Sequence, residues 1–405
     1  MSPIISLNDL AVRGRTVLLR ADFNVPLETN EDGFAVITDD GRIRAALPTI
    51  QTLSAQGARV VILAHLGRPK GEVSEALSLR PIAARLSELL DEPVVMADDV
   101  CGDSAKAVVA GLLPGAVALL ENVRFDPRET SKDINERTTL ASHWAALGDC
   151  FVSDGFGVVH REQASVTELA ALLPHAAGLL VAREAEVFNS LLSDPSHPYT
   201  VVLGGSKVSD KLGVIENLLT RVDRLIIGGG MCFTFLLAQG HDVGASLVEI
   251  DQVAKVAGLL ETARDTGVDL VLPVDLVVAD AFSADAQTRV VSVADGVPEG
   301  WMGLDIGPES AARFAQLVEE SATVVWNGPM GVFEMEPFAA GTRAVGEALT
   351  RVSGMSVVGG GDSAAAIRLM GIDESAISHV STGGGASLEF LEGRTLPGLA
   401  VLSTS

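Results

Sequence analysis

Cysteine and long apolar runs are both scarce in this sequence of 405 residues. Its three cysteines are too few and too widely spaced for a disulfide framework or a zinc ligand set. The longest apolar stretch, residues 169–182, is interrupted by Pro174 and His175 and is shorter than the ~20 residues of a membrane span. These absences argue against a disulfide-stapled secreted domain and against a helical membrane protein.

Positive charge is scarce as well, since 29 Lys and Arg residues face 53 Asp and Glu residues and leave a net charge of −24. Proteins that bind duplex nucleic acid carry a basic surface, so we expect neither nucleic acid nor an anionic membrane as a partner. Residues 1–6 lack the basic-then-apolar layout of a signal peptide, which predicts a cytoplasmic protein. An anionic small substrate would need a local group of Arg and His side chains.

Short β-branched runs alternate with helical patterns along the whole chain. Such alternation predicts βαβ units, with parallel sheets that helices cover on both faces. A Pro-containing turn at residues 193–198 separates two series of similar length, and the amphipathic stretch 183–192 before it predicts a connecting helix. We therefore expect the α/β class, with two Rossmann-like three-layer domains joined by a helix. The runs lie at 17–19, 60–63, 117–120, 151–152, 201–203, 225–227, 270–272, 323–325, 356–358 and 379–380.

Cationic and hydrogen-bonding residues follow each predicted strand of the first half, where parallel sheets bind ligands. A lone Arg after a strand is usually solvated, and a lone His is more often packed than a ligand. Several such loops at one edge nevertheless predict an anion site, and Arg42 could join it. The loops are residues 20–26, 65–69, 121–124 and 154–161.

Glycines follow the predicted strands of the second half, at 204–205, 228–230, 328, 359–361 and 383–385. A single glycine after a strand is better explained by a tight turn than by a ligand site. Repeated at one edge, glycines let backbone N–H groups reach a phosphate at helix N-termini. Lys207 and Lys211 are four residues apart, which on a helix would place like charges on one face unless an anion lies between them.

Several common nucleotide and metal motifs are missing. No G-x-x-x-x-G-K-[ST] is present, which excludes a Walker-type NTPase. Residues 359–364 fit the loose pattern G-x-G-x-x-A, but the next predicted strand ends in Ser381 and Thr382 where a dinucleotide-binding fold has a carboxylate. A dehydrogenase is therefore disfavoured. H-E-x-x-H and G-x-S-x-G are absent too.

Taken together, these segments resemble the phosphoglycerate kinase family, in order and over nearly the whole chain. The departures are mild: Gly155, Val158 and Val159 replace the expected residues around Asp154–Arg161, and Cys232 stands where Ala is usual. The matching segments are 20–26, 65–69, 121–124, 154–161, 204–212, 228–235, 326–334, 359–363 and 381–387.

The resemblance implies reversible formation of ATP from ADP and 1,3-bisphosphoglycerate, giving 3-phosphoglycerate, with Mg²⁺ as cofactor. It implies a monomer with a triose-binding domain at 1–182, a connecting helix and linker at 183–198, a nucleotide-binding domain at 199–388, and a tail at 389–405 that returns to the first domain. The acceptor carboxylate is already ionised at pH 7, so no general base is needed. A catalytically silent binding protein on the same scaffold remains the alternative from another class.

The resemblance also assigns the site residues. Arg42 and Lys207, with the amides of Gly361 and Gly383, would stabilise the transferring phosphoryl group. The triose would lie against Asp22, Phe23, Asn24, Arg42, His65, Leu66, Gly67, Arg68, Arg124 and Arg161. The nucleotide would lie against Gly205, Ser206, Lys211, Gly229, Gly303, Asn327, Pro329, Val332, Glu334, Gly360, Gly361, Asp362 and Ser363, and Asp362 would bind Mg²⁺.

Overall fold

The structure is a computed structural model of the chain and describes residues 3–29 and 35–403. The chain divides into two compact units: unit 1 is Met1–Glu186 with Thr395–Ser405, and unit 2 is Val187–Arg394. The break after Glu186 falls inside a helix, Leu179–Ser193, so the chain leaves unit 1 as a helix.

Unit 1 is built on a six-stranded sheet with the order β5-β6-β4-β1-β7-β8, in which every neighbouring pair is parallel. A short antiparallel hairpin, β2-β3, lies outside this sheet. The strands are β1 (Thr16–Arg20), β2 (Leu27–Thr29), β3 (Ala35–Ile37), β4 (Arg59–Leu63), β5 (Val94–Met96), β6 (Val117–Leu119), β7 (Cys150–Ser153) and β8 (His175–Ala177). The helices are α1 (Gly41–Ala55), α2 (Arg80–Leu90), α3 (Asp103–Gly111), α4 (Ile134–Ala145), α5 (Leu169–Leu172) and α6 (Leu179–Ser193).

Unit 2 contains a second six-stranded parallel sheet, β11-β10-β9-β15-β16-β17, and a three-stranded antiparallel sheet, β13-β12-β14. Its strands are β9 (Tyr199–Leu203), β10 (Arg224–Ile227), β11 (Asp269–Val271), β12 (Asp275–Ala279), β13 (Thr288–Ser292), β14 (Met302–Ile306), β15 (Thr323–Asn327), β16 (Met355–Gly359) and β17 (His379–Val380). Its helices are α7 (Leu212–Leu218), α8 (Cys232–Ala238), α9 (Val253–Thr266), α10 (Pro308–Glu319), α11 (Ala340–Leu349), α12 (Gly361–Leu369) and α13 (Gly384–Leu391). Last along the chain is α14 (Pro397–Ala400), which belongs to unit 1.

Alternate residues of the central strands pack on opposite faces of each sheet. Leu19 of β1 lies in one core with Ile50 of α1, whereas its neighbour Leu18 lies in another with Trp144 of α4. In unit 2, Trp326 of β15 packs in a core with Phe314 of α10. Strands that bury both faces read as continuous apolar runs. The α/β class with two three-layer domains is thus confirmed.

The sequence analysis missed the short strands and the antiparallel sheet. β5 and β8 are three residues each, too short to stand out from an apolar loop. β13 is exposed along most of its length, so it lacks the buried run by which most strands of the two parallel sheets were found. The limits drawn after residues 182 and 388 fall inside α6 and α13, because a helical pattern does not mark where a compact unit ends.

The start of α6 is tied to the end of β7 by a buried carboxylate. Asp154 follows β7 directly and has no exposed surface. Its Oδ1 accepts hydrogen bonds from the backbone N–H groups of Leu180 at 3.0 Å and Val181 at 3.4 Å. Position 178 is a glycine because a Cβ there would lie 2.1 Å from Asp154 Oδ1. Burial raises the pKa of Asp154 to about 7.

This raised pKa predicts a stability that falls as pH rises. The folded state holds a proton that the unfolded chain releases near its ordinary pKa of about 4, so the stabilisation is complete below that pH and is lost as pH rises through about 7. Asp154→Asn keeps the Oδ1 acceptor and cannot ionise. Melting temperatures measured from pH 4 to pH 8 should therefore shift steadily in favour of the Asn variant as pH rises. A difference that stays constant over this range would contradict the prediction.

Candidate active site

The first candidate half-site lies in unit 1, at the carboxyl ends of four neighbouring parallel strands. β6, β4, β1 and β7 are adjacent in the sheet, so the residues that follow them lie at one edge. Asp22, after β1, accepts a hydrogen bond at its Oδ2 from Nη1 of Arg42 at 2.5 Å. Asn24 Oδ1 accepts one from the N–H of Gly67, in the loop after β4, at 2.8 Å. The sequence thus correctly predicted that the β1 and β4 loops meet.

Asp22 is a buried carboxylate at this edge that pairs with Arg42, and its Oδ1 lies 3.8 Å from Nδ1 of His65. Burial by itself would raise the pKa of Asp22, but Arg42, His65 and Arg20 outweigh burial and hold the pKa at about 2. Burial lowers the pKa of His65 well below its ordinary value, with Arg20, Arg124 and Arg161 acting in the same direction. His65 is therefore neutral at pH 7 and offers a hydrogen bond rather than a charge.

Arg20, a buried arginine that the sequence analysis did not assign to the site, holds neighbouring residues of this edge in place. Arg20 ends β1 and has no exposed surface. Its Nε donates to Ser165 Oγ at 2.7 Å, and that hydroxyl donates to Glu129 Oε1 at 2.6 Å. Arg20 Nη2 lies 3.4 Å from His65 Nδ1. The available signal was an arginine closing an otherwise apolar strand, since a buried arginine needs partners.

Three predicted arginines line one cavity of about 290 Å³ in unit 1. Arg124 is the most enclosed: its Nη1 donates to the carbonyl of Gly67 at 2.7 Å, and its Nε is buried without a hydrogen-bond partner in the part of the chain that the structure describes. Burial, together with Arg161 and Arg20, lowers the pKa of Arg124 to about 10. A cluster of cations held this closely is suited to a multiply charged anion such as a phosphate monoester. The lining is Arg68, Lys70, Gly71, Arg124, Thr130 and Arg161.

Two residues assigned to the triose site belong to the core. Phe23 has no exposed surface, Leu66 is 2% exposed, and both pack in the hydrophobic core of unit 1. Their side chains therefore hold the loops in place. Leu66 does so while its neighbour Gly67 supplies the N–H and carbonyl that bond Asn24 and Arg124.

The second candidate half-site is a cavity of about 490 Å³ in unit 2. One wall is apolar and aromatic, with Phe233, Leu247, Phe282, Met302 and Leu304, none of which the sequence analysis selected. Phe282 and Leu247 are 62% and 52% exposed although large and apolar, which is typical of a binding surface. The predicted residues in the lining are Gly205, Ser206, Gly229, Gly303, Pro329, Val332, Glu334 and Asp362.

Glycines let the loops and side chains around this cavity approach one another. A Cβ at Gly229, whose φ is +63°, would lie 2.5 Å from the backbone nitrogen of Gly205, and a Cβ at Gly303 would lie 2.1 Å from Cζ of Phe233. The cavity is thus bounded by glycines and apolar side chains, a lining that suits an aromatic base. Cys232 is buried in its wall, and burial raises the pKa of the thiol.

The helix N-termini at α12 and α13 are the candidate anion-binding groups of this unit. Gly361, the first residue of α12, has open space where a Cβ would be, and Gly384 at the start of α13 has the Gly361 nitrogen as its nearest neighbour, 3.5 Å from a Cβ there. Nδ2 of Asn327 is buried without a hydrogen-bond partner and would lie 3.0 Å from a Cβ at Gly360. Free N–H groups and a helix dipole favour phosphate here.

Some predicted phosphate ligands are engaged inside unit 2. Ser363 has no exposed surface and its Oγ accepts from the N–H of Gly328 at 2.6 Å, while the N–H of Gly383 donates to Ser381 Oγ at 3.1 Å. Lys211 is buried, and its Nζ donates to the carbonyls of Gly204 and Asn327 and to Asn327 Oδ1, each at 2.7 Å. Burial lowers the pKa of Lys211 to about 7.

The expected helical face of two lysines is wrong. Lys207 and Lys211 both precede α7, which begins at Leu212. Lys207 is exposed, whereas Lys211 is buried. Lys207 forms no ion pair with a carboxylate in the part of the chain that the structure describes, so its charge is available to a ligand.

Comparison with known proteins identifies the class to which this fold and these half-sites belong. The family model described as phosphoglycerate kinase matches residues 7–394. The phosphoglycerate kinase of Clavibacter sepedonicus is 61% identical over 98% of both chains, and that of Bifidobacterium longum is 59% identical over 99% of this chain and 100% of the relative. These matches place the chain among the phosphotransferases.

Solved structures agree. The phosphoglycerate kinase of Coxiella burnetii is 42% identical with a TM-score of 0.84 and covers 99% of both chains; that of Pyrococcus horikoshii is 35% identical with the same TM-score and covers 98% of both. The chain belongs to the phosphoglycerate kinase family. In the described ranges, no helix combines the length and apolar character that crossing a bilayer requires.

Proposed function

We propose that this chain transfers a phosphoryl group reversibly between 1,3-bisphosphoglycerate and ADP, producing 3-phosphoglycerate and ATP. The observation that carries the proposal is the pairing, within one member of this family, of an arginine-lined cavity in unit 1 with an apolar, glycine-bounded cavity in unit 2. The first fits a phosphorylated small acid and the second fits a nucleotide.

In unit 1 the Arg68, Arg124 and Arg161 cavity holds the 3-phosphate of the triose. Arg42, Asn24 and His65 orient its reacting end. Arg42 is half-buried and already held by Asp22, so its charge needs little rearrangement to reach the transferring phosphoryl group. Preorganised charge of this kind is the main protein contribution to phosphoryl transfer, and the carboxylate nucleophile needs no base.

In unit 2 the apolar cavity holds the base, Glu334 binds the ribose hydroxyls, and the phosphates extend toward Gly361 and Lys207. Asp362, in the first turn of α12 and in the lining of the cavity, is the residue that would hold Mg²⁺. The donor set fits, because Mg²⁺ in such sites is usually bound through one or two carboxylates plus phosphate oxygens and water. When bound, Mg²⁺ neutralises charge on the phosphate oxygens.

Transfer requires the two half-sites to be brought together, since the triose ligands and the nucleotide ligands belong to different units. Each substrate alone has its contacts in one unit, so we expect full closure only when both are bound. Small-angle scattering should show the smallest radius of gyration with 3-phosphoglycerate and Mg-nucleotide together. The same contraction with one ligand alone would contradict this hinge closure.

The proposed activity is tested by a coupled assay of ADP production from ATP that depends on 3-phosphoglycerate. Turnover that requires both substrates supports the proposal. Folded protein that binds both ligands without turnover would indicate the silent binding protein, and binding of NAD without ADP would indicate a dehydrogenase. We further propose that the protein is a monomer that acts in the cytoplasm on small molecules. The net charge of −24 disfavours nucleic acid as a partner. Size-exclusion chromatography tests whether the protein is a monomer.

A further inference from the structure

Lys70 occupies a backbone conformation that lysine rarely adopts. The N–H of Glu72 donates to the carbonyl of Pro69 at 3.2 Å, which closes a four-residue turn. The two central residues, Lys70 and Gly71, have φ values of +59° and +85°. Positive φ at both positions defines a type I′ turn, in which Asn, Asp or Gly is favoured at the first central position. A lysine there is a local misfit.

The turn packs against a segment that also contributes a residue to the lining of the arginine cavity. A Cβ at Gly71 would lie 2.7 Å from Cβ of Pro127, so the turn packs directly on that proline. Pro127 begins a short 3-10 helix that ends at Thr130, and Thr130 lines the cavity. The turn that contains Lys70 is therefore packed in place beside the cavity, and is not a free loop.

The ammonium group of Lys70 has no carboxylate partner among the described residues of unit 1. The chain has few lysines, and Lys106 and Lys255 pair with Asp103 and Glu216 at 3.5 Å and 3.1 Å. Lys70 forms no such pair in the ranges that the structure describes, although the chain carries 53 Asp and Glu residues. It lines the same cavity as Arg68, Arg124 and Arg161. Four cations around about 290 Å³ repel one another until an anion with more than one charge enters.

We propose that Lys70 is a fourth cationic ligand of the phosphate monoester group that the arginine cavity takes, and that it sharpens the preference of this site for a dianion over a singly charged group. The inference rests on the proposed function, because it deepens the assignment of the triose 3-phosphate to this cavity. Binding of the phosphate by the ammonium group accounts for a lysine at a turn position that favours Asn, Asp or Gly.

Calorimetric titration of three variants tests the proposal. Lys70→Asn removes the charge and suits the turn, so it should melt no lower than the parent chain while binding 3-phosphoglycerate about tenfold more weakly. ADP affinity should not change, since the nucleotide cavity is in the other unit. Lys70→Arg keeps the charge and should restore most of the lost affinity. Lys106→Asn makes the same charge change on α3, outside the cavity, and should bind like the parent chain.

Inorganic phosphate is titrated in parallel as a probe that needs only the cation cluster. Parent protein that binds phosphate but not 3-phosphoglycerate would contradict the proposed function. The role of Lys70 would then be tested by comparing the phosphate affinities of Lys70→Asn and the parent chain. Phosphate and 3-phosphoglycerate affinities that are equal in Lys70→Asn and the parent chain would overturn that role. So would an equal loss in Lys106→Asn, or a Lys70→Arg variant that binds no better than Lys70→Asn.

Discussion

The Arg124→Ala variant is expected to bind 3-phosphoglycerate about 30- to 5,000-fold more weakly than the parent chain, because truncating one partner of a buried charged contact typically costs ~2–5 kcal/mol. Arg124 is the most enclosed arginine of the cavity in unit 1, and its Nε is buried with no hydrogen-bond partner among the described residues. Burial together with Arg161 and Arg20 lowers its pKa to about 10, so the empty site holds this charge at a cost that an anion relieves.

Isothermal titration of each substrate separately checks this expectation. ADP affinity should stay unchanged, since the nucleotide cavity belongs to the other unit. Arg128→Ala is the matched control: Arg128 lies four residues further on, pairs with Asp126 at 2.6 Å, and does not line the cavity. A comparable loss of ADP binding in Arg124→Ala, or a comparable loss of 3-phosphoglycerate binding in Arg128→Ala, would show that the effect comes from damage to unit 1.

The sequence predicted which loops meet at one edge of a sheet, because strand order decides this. Parallel neighbours end at one edge, so the residues after β1, β4 and β6 had to meet once the runs were recognised as strands. The contact of Asn24 with Gly67 follows from that rule. The same rule placed the loops after β9, β10 and β15 around one cavity, with Asp362 of α12 in its lining.

The sequence could not predict which polar groups satisfy one another inside a unit. Lys211 bonds Asn327, which lies 116 residues further along the chain, and Arg20 bonds Ser165 at a separation of 145 residues. No local pattern encodes such partners. Phe282 escaped notice for another reason: it lies in an irregular loop between β12 and β13, outside any periodic apolar pattern. Lys70 was missed because nothing in its spacing signals a positive φ.

Lys207 and Lys211 therefore have different roles. Lys211 uses all three of its donors on Gly204 and Asn327, and so it holds the loops after β9 and β15 together. Burial lowers its pKa to about 7, with Asp362 and Asp210 opposing that effect. Lys207 follows Gly205 and Ser206, which line the cavity, and it is exposed without an ion pair in the described part of the chain. Of these two lysines, only Lys207 can bring its charge to a reacting group without breaking hydrogen bonds within the protein.

The Lys207→Ala variant is accordingly expected to lower kcat by about 10²–10³-fold, the usual effect of removing one group that stabilises transition-state charge. Its effect on nucleotide affinity should be much smaller, because an exposed cation contributes little to ground-state binding. Steady-state kinetics with both substrates saturating, together with ADP titration, separate the two quantities. Lys255→Ala removes an exposed lysine of unit 2 that pairs with Glu216 and should leave both unchanged. If Lys207→Ala raises KM for the nucleotide while kcat is kept, then Lys207 binds substrate and does not stabilise the transferring phosphoryl group.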